Sequence, residues 1–176
     1  MGPQETGTGP GTGLRLEVVP ATVEQLRLLL ADTAAFQLRY GVRVVPGFSQ
    51  FDGTLEHSLQ VLEEQRLPPH WSTHLFIHKA ERALIGIGGY TGPPQAGTVE
   101  IGYSIAPAYQ GRGLGTAAAA ELVRRAAEAG LQRVVAHTLA QPSPSTGVLG
   151  SLGFIRTDEI PDPDEGRLWR WERELP

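Results

Sequence analysis

The chain has 176 residues, 40% hydrophobic and 19% charged, with a formal charge of −4 and no cysteine. That length suits one globular domain burying roughly 70% of its unfolded surface, and the acidic balance lacks the basic footprint of a nucleic-acid partner. The absence of cysteine excludes disulfides, thiolate metal sites and a catalytic thiol, and fits a cytoplasmic setting; no apolar run approaches the ~18 residues of a membrane span.

Residues 1–13 (MGPQETGTGPGTG) are rich in Gly, Pro and Thr, so a flexible tail is expected there, with the domain over 14–176. They hold no basic region followed by an apolar core, so no secretory signal is expected. Leu14 to Val19 alternates apolar and polar residues, the period of a half-buried strand that Pro20 ends. Thr22 and Gln25 form a capping-box pattern. The spacing of Leu26, Leu29, Leu30, Ala34 and Leu38 then predicts one helix over 23–40, closed by Gly41.

Residues 41–53 carry Val44, Val45, Phe48 and Phe51 among Pro46, Gly47 and Gly53, an unusually apolar loop that either packs on the core or frames a pocket. A second helix is predicted over 54–67, stopped by Pro68-Pro69. Residues 73–79 and 84–90 read as an antiparallel hairpin, and Gly86, Gly88 and Gly89 within it mark a bulge or a close backbone approach. A loop over 91–98 precedes a strand over 99–105 and a helix over 114–129. A strand over 131–139 follows, then a short helix over 142–151 with Ser143 as N-cap and Pro144 at its first position. Strands over 154–157 and 166–174 close the chain, separated by an acidic loop over 158–165. The order β-α-α-β-β-β-α-β-α-β-β predicts a mixed α/β sheet with helices on its faces.

Between the strand at 99–105 and the following helix lies a turn with Gly111, Gly113 and Gly115. Glycines there allow a tight bend and leave backbone N–H groups uncovered, and the positive end of a helix then offers an anion site. A Rossmann fingerprint fails because Thr116 stands where the third glycine belongs, and a Walker A loop fails because the turn has no lysine; Lys79 is the only one in the chain. What remains is QxxGxG: Gln110, Gly113 and Gly115.

The segment EIGYSIAPAYQGRGLGTAAAAEL (100–122) resembles the acyl-CoA-binding signature of the GNAT superfamily of N-acetyltransferases. A second stretch, with Ser145, Val148, Leu149, Leu152, Gly153 and Phe154, looks like that family's later landmark. The likeness is nearest to the branch that includes ribosomal-protein N-terminal acetyltransferases. The resemblance implies a single-domain GNAT-like α/β fold, with a mixed, mostly antiparallel sheet of about seven strands and helices on both faces. It implies acetyl-CoA as acyl donor, a primary amine of a small molecule or a peptide N-terminus as acceptor, and a homodimer as in many family members. Nucleic acid and membrane are not expected as partners. Carried onto this chain, it places the CoA pyrophosphate on the turn around Gln110 and Gly111, at the N–H groups of Arg112, Gly113, Leu114, Gly115 and Thr116, with the Arg112 side chain adding a charge-assisted contact. The backbone of Ile105, Ala106 and Pro107 would pair with the pantetheine arm, and the N–H of Ile105 or Ala106 would polarise the thioester carbonyl.

Transfer to an amine needs a base, an oxyanion donor and a proton for the leaving thiolate. Glu100 is the first candidate base, by resemblance to a glutamate on the matching strand of several family members, and His137 the second. Ser145 aligns with the serine of the family's NxxS pattern and could protonate sulfur or hold the pantetheine; Tyr103 and Tyr109 are alternatives. Two departures stand out: Pro142 replaces the asparagine of that pattern, and no tyrosine lies between Pro142 and Phe154. They motivate a rival reading, a non-catalytic acyl-CoA-binding or protein-interaction module on the same fold. His57, His70, His74 and His78 lack the spacing and carboxylate company of a zinc site, so no metal is expected. The acceptor is expected to meet the loops at 41–53, 91–98 and 158–165, the last through Asp158, Glu159, Asp162, Asp164 and Glu165.

Overall fold

The computed structural model describes residues 15–176; the expected tail over 1–13 lies outside the described residues, as does Leu14. The elements are β1 (Leu16–Pro20), α1 (Val23–Ala31), α2 (Thr33–Tyr40), β2 (Arg43–Val44), α3 (Thr54–Glu63), β3 (Thr73–His78), β4 (Ala83–Tyr90), β5 (Thr98–Ile105), α4 (Leu114–Glu128), β6 (Arg133–Leu139), α5 (Pro144–Ser151), β7 (Ile155–Asp162) and β8 (Gly166–Glu174). The sheet runs β1-β3-β4-β5-β6-β8-β7, with β2 paired to the start of β4. All pairs are antiparallel except β5 with β6 and β2 with β4.

Both faces are covered by helices, as the resemblance implies. On one face α4 lays Ala117, Ala118, Ala119, Leu122, Val123 and Ala126, all buried, against Val99, Ile101, Ile105 and Val134. The small side chains let the helix lie close to the strands, and α5 adds Leu149 to the same cluster. On the other face Leu26, Leu29, Phe36, Leu55 and Leu62 from the first three helices pack on Leu75, Leu84 and Ile87. The glycines of β4 answer to close approach: a Cβ at Gly86 would lie 2.3 Å from the Ser104 carbonyl oxygen, and one at Gly88 2.5 Å from that of Gly102. A bulge lies beside them as well: Phe76 and Ile77 of β3 oppose Gly86 and Leu84, leaving Ile85 of β4 as the extra residue.

Four expectations are corrected. The helix over 23–40 is two helices, because Asp32 leaves helical geometry (φ −158°, ψ 89°), closes α1 with its N–H and caps α2 with its carboxylate. The redirected axis leaves Leu38 exposed. The second helix ends at Glu63, four residues early. The apolar loop contains β2, a short strand that the alternation alone did not mark. The acidic stretch after Thr157 is mostly strand: β7 runs on to Asp162 in register with β8, leaving a turn of three residues in which Asp162 Oδ1 accepts from the N–H groups of Asp164 and Glu165. Cross-strand pairing overrode the turn signals of Asp and Pro there.

Candidate active site

The site begins as an unfinished pairing. β5 and β6 are in register only from Thr98↔Arg133 to Ile101↔Ala136, although β5 continues to Ile105 and β6 to Leu139. In an antiparallel ladder alternate residues direct their N–H and C=O to the same neighbour. The bonds Thr91 N–H to Glu100 O (3.0 Å) and Ala106 N–H to Ile85 O (2.7 Å) set the phase between β4 and β5. Gly102, Ser104 and Ala106 therefore face β4, and Tyr103 and Ile105 turn their backbone groups into the opening beside β6. This narrows one expectation. The Ala106 N–H is already committed to Ile85, so of the two candidates for polarising a carbonyl, Ile105 alone keeps its N–H directed into the opening. The Ile105 carbonyl accepts from Gln110 Nε2 at 3.0 Å, tying the turn to the strand end.

Beyond Gln110 the chain turns through Gly111 and Gly113, both at φ +77°, where a side chain would be strained. Gly113 caps α4 with no side-chain bond, and the first helical bond is Ala117 N–H to Gly113 O. The N–H groups from Gly111 to Thr116 find no acceptor among the described residues. They open onto a groove of about 360 Å³ lined by Gln110, Gly111, Gly113, Gly115 and Thr116 on one side and Pro144, Ser145 and Val148 on the other. A Cβ on Gly111 or Gly113 would meet nothing within 4 Å, so their smallness serves backbone shape and access rather than packing. The Arg112 side chain turns away from this groove: its guanidinium lies over the Tyr109 ring (4.7 Å) and donates to Ala108 O (3.2 Å). The expected charge-assisted contact from Arg112 therefore has no guanidinium facing the groove.

The two candidate bases are partners. Glu100 on β5 and His137 on β6 project from the sheet face opposite α4, with Glu100 Oε1 2.8 Å from His137 Nδ1. Glu100 is 37% and His137 23% exposed. Tyr103 points to the α4 face, and its hydroxyl donates across the opening to the Ser145 carbonyl at 3.2 Å. Burial pushes the Tyr103 phenol well above its ordinary range, so it keeps its proton. Ser145 stands in the first turn of α5, held by the reciprocal capping bonds of Ser143 and Thr146. Tyr109 lies outside the opening; its hydroxyl accepts from Arg43 at 2.8 Å.

Two further cavities join this groove. One of about 300 Å³ lies over the glycines of β4 beneath α3, with Ser58, Thr73, Tyr90 and Tyr103 in its wall. The other, of about 360 Å³, fills the gap between β5 and β6 and reaches His137, Ser145, Glu165 and Leu168. Phe51 and Tyr103 border all three. The apolar loop thus does both things expected of it: Val42 and Val45 are buried, while Phe51 stays 61% exposed at the junction. The loop is pinned there by Ser104 Oγ donating to Phe48 O at 3.3 Å. Of the acidic residues expected to meet an acceptor, only Glu165 borders one of these spaces; Glu159 pairs with Arg167 at 3.3 Å. Of the four histidines weighed for a metal, His57 alone lines one of these spaces, the cavity beneath α3. Sequence reasoning passed over Phe51 as a site residue, and its signal was an aromatic ring in a loop that has no hydrophobic period to satisfy.

The sequence matches the family described as "Acetyltransferase (GNAT) domain" over residues 15–155. No curated protein matches it. Among solved structures it is similar to the ribosomal-protein-S5-alanine acetyltransferase of Vibrio fischeri, at 17% identity over 91% of this chain and 93% of that one, with a TM-score of 0.65. It is similar also to RimL, a ribosomal L7/L12 alpha-N-protein acetyltransferase in complex with coenzyme A (16% identity, 92% and 94% covered, TM-score 0.66). A third likeness is to the microcin C7 self-immunity acetyltransferase MccE in complex with acetyl-CoA and AMP (14%, 95% and 98%, 0.66). At these identities the likeness is one of fold.

Proposed function

Because the chain belongs to the GNAT family of acetyltransferases, and is therefore an acyltransferase, we propose that it moves an acetyl group from acetyl-CoA to a primary amine. The acceptor is a small molecule or a protein N-terminus. One observation carries the donor assignment: the run of N–H groups from Gly111 to Thr116, at the positive end of a fifteen-residue helix, opens onto a groove that continues into the gap between β5 and β6. A pyrophosphate suits the first part and an extended amide-bearing arm the second. The neighbours' bound CoA and acetyl-CoA support the same reading.

In the proposed reaction the pyrophosphate rests on the turn and the arm pairs with the backbone groups that Tyr103 turns into the opening. The Ile105 N–H then donates to the thioester oxygen, where charge develops as the amine adds to the carbonyl carbon. Removal of the amine's proton falls to the Glu100–His137 pair. As the C–S bond breaks, sulfur leaves with its electron pair and takes a proton from the Ser145 hydroxyl, which solvent restores. Tyr103 holds the Ser145 segment across the opening. The acceptor comes from the two cavities that Phe51 borders away from the CoA turn, beneath α3 and in the gap between the strands. The neighbour named for acetylating a ribosomal-protein alanine supports an amine acceptor of this kind.

Two measurements test this. Gly113→Asp and Gly115→Asp each put a side chain and a negative charge into the cradle and are expected to weaken acetyl-CoA binding at least tenfold by isothermal titration. Unchanged affinity in both would refute the donor site. Thiol release from acetyl-CoA, assayed against a panel of primary amines and short peptides, is expected to exceed the buffer rate with at least one acceptor. Tight acetyl-CoA binding with no release across the panel would instead favour the non-catalytic module.

A further inference from the structure

Glu100 and His137 sit end to end, yet they open onto different spaces. Glu100 lines a surface hollow with Thr91, Pro93 and Arg170. His137 lines the cavity in the gap between the strands, which shares Phe51, Tyr103 and Ser145 with the donor groove. His137 thus borders both the carboxylate and the cavity that shares its wall with the donor groove. Its Nδ1 is occupied by Glu100 Oε1 at 2.8 Å, and a carboxylate in that position accepts from an Nδ1–H, leaving Nε2 as the unprotonated nitrogen.

Resting on the acyl-transfer reading above, we propose that His137, with Glu100 as its positioning partner, takes the proton of the attacking amine. Nitrogen bonds to the thioester carbon while its proton passes to His137 Nε2; the C–S bond breaks with its electron pair on sulfur, and sulfur gains one proton. One acyl amine and one thiol form, with no oxidant or reductant. Glu100 fixes the ring's tautomer and orientation and stabilises the imidazolium that forms. The charged groups facing the ring are Glu100 from β5, Arg170 from β8 directly opposite in register, Glu172 on the same β8 face, and Glu165 from the β7–β8 turn. Arg170 is turned to Glu172 at 3.0 Å, so Glu100 is the carboxylate bonded to the ring.

The test uses the full chain, acetyl-CoA and the panel amine that releases thiol fastest. His137→Gln is expected to lower kcat about a hundredfold and to abolish the acidic limb of the pH–rate profile. Glu100→Gln is expected to lower kcat about tenfold while keeping that limb. The opposite pattern, with the limb lost in Glu100→Gln and kept in His137→Gln, makes Glu100 the base and overturns the proposal. Added imidazole should restore turnover in His137→Ala, which a purely structural histidine would not allow; no rescue counts against it. Acetyl-CoA affinity should stay unchanged in all three variants, separating this result from failure of the donor site. Long-range proton–nitrogen NMR reads the tautomer without any acceptor: Nδ1–H in the wild type, shifting toward Nε2–H in Glu100→Ala. An Nε2–H ring in the wild type overturns the proposal. No thiol release from the wild type with any amine overturns it together with the function it rests on.

Discussion

His74 is fully buried on β3, with Nδ1 2.9 Å from the Ser72 carbonyl and Nε2 without a partner among the described residues. Burial disfavours its charged form and lowers its pKa to about 4 from the ordinary 6.5, against a small raising effect of the Ser72 bond. The folded chain therefore holds a neutral ring over a range where the unfolded chain is protonated. Unfolding takes up a proton between pH ~6.5 and ~4, so stability falls as pH falls through that window and the slope vanishes below it. At pH 4 the loss from this one group is roughly 3 kcal/mol. Urea midpoints at pH 7, 5.5 and 4 should show it, and His74→Gln, which cannot titrate, should flatten that part of the profile. Equal slopes in the two proteins would place the acid sensitivity elsewhere.

Two helices meet at a single residue, Asp32, whose backbone closes one and whose carboxylate caps the other. Asp32 Oδ1 accepts from the Ala35 N–H at 3.1 Å, and its own N–H closes α1 onto Leu28 O at 2.8 Å. Asp32→Ala should cost about 1 kcal/mol of stability, seen as a lower urea midpoint with an unchanged slope. Asp32→Asn should recover most of it, and acetyl-CoA affinity should not change in either. The break was visible in principle, since Asp-Thr is a helix-start pair, but the leucine spacing ran through it and the period outweighed the cap. At α5 the reverse happened: Ser143 and Pro144 announced the start of the helix because no stronger periodic signal competed with them. The full length of β7 is hidden from the sequence because Asp158, Pro161 and Asp162 are turn residues by composition. Their pairing with β8 is a long-range interaction with no local trace.

Across the whole molecule, the order of elements from β3 onward, the hairpin and the strand–turn–helix unit were legible because each rests on local chemistry: alternation, caps, and glycines where φ is positive. The Glu100 and His137 positions were legible as candidates but not as a pair. Thirty-seven residues separate them, and only the parallel register of β5 with β6 brings them to one face. The same holds for Tyr103 and Ser145, joined across the opening, and for the choice of Ile105 over Ala106, which depends on hydrogen-bond phase. The early end of the β5–β6 register has a thermodynamic consequence. The sheet is left with an interior edge, a place where one more extended chain could be hydrogen-bonded between two existing strands. A donor whose arm lies there acts as a removable strand, so its binding free energy adds to the cohesion of the sheet that holds it. Saturation at a hundred times Kd should stabilise the fold by about 2.7 kcal/mol, raising Tm by roughly 5–11 °C in a chain of this size. Amides of Tyr103 and Ile105 should exchange more slowly in the complex. A donor that stabilised the fold by mass action yet left those two amides unprotected would be lying outside the gap. Empty, the enzyme is a sheet divided in its middle; in the proposed complex its substrate becomes part of its secondary structure.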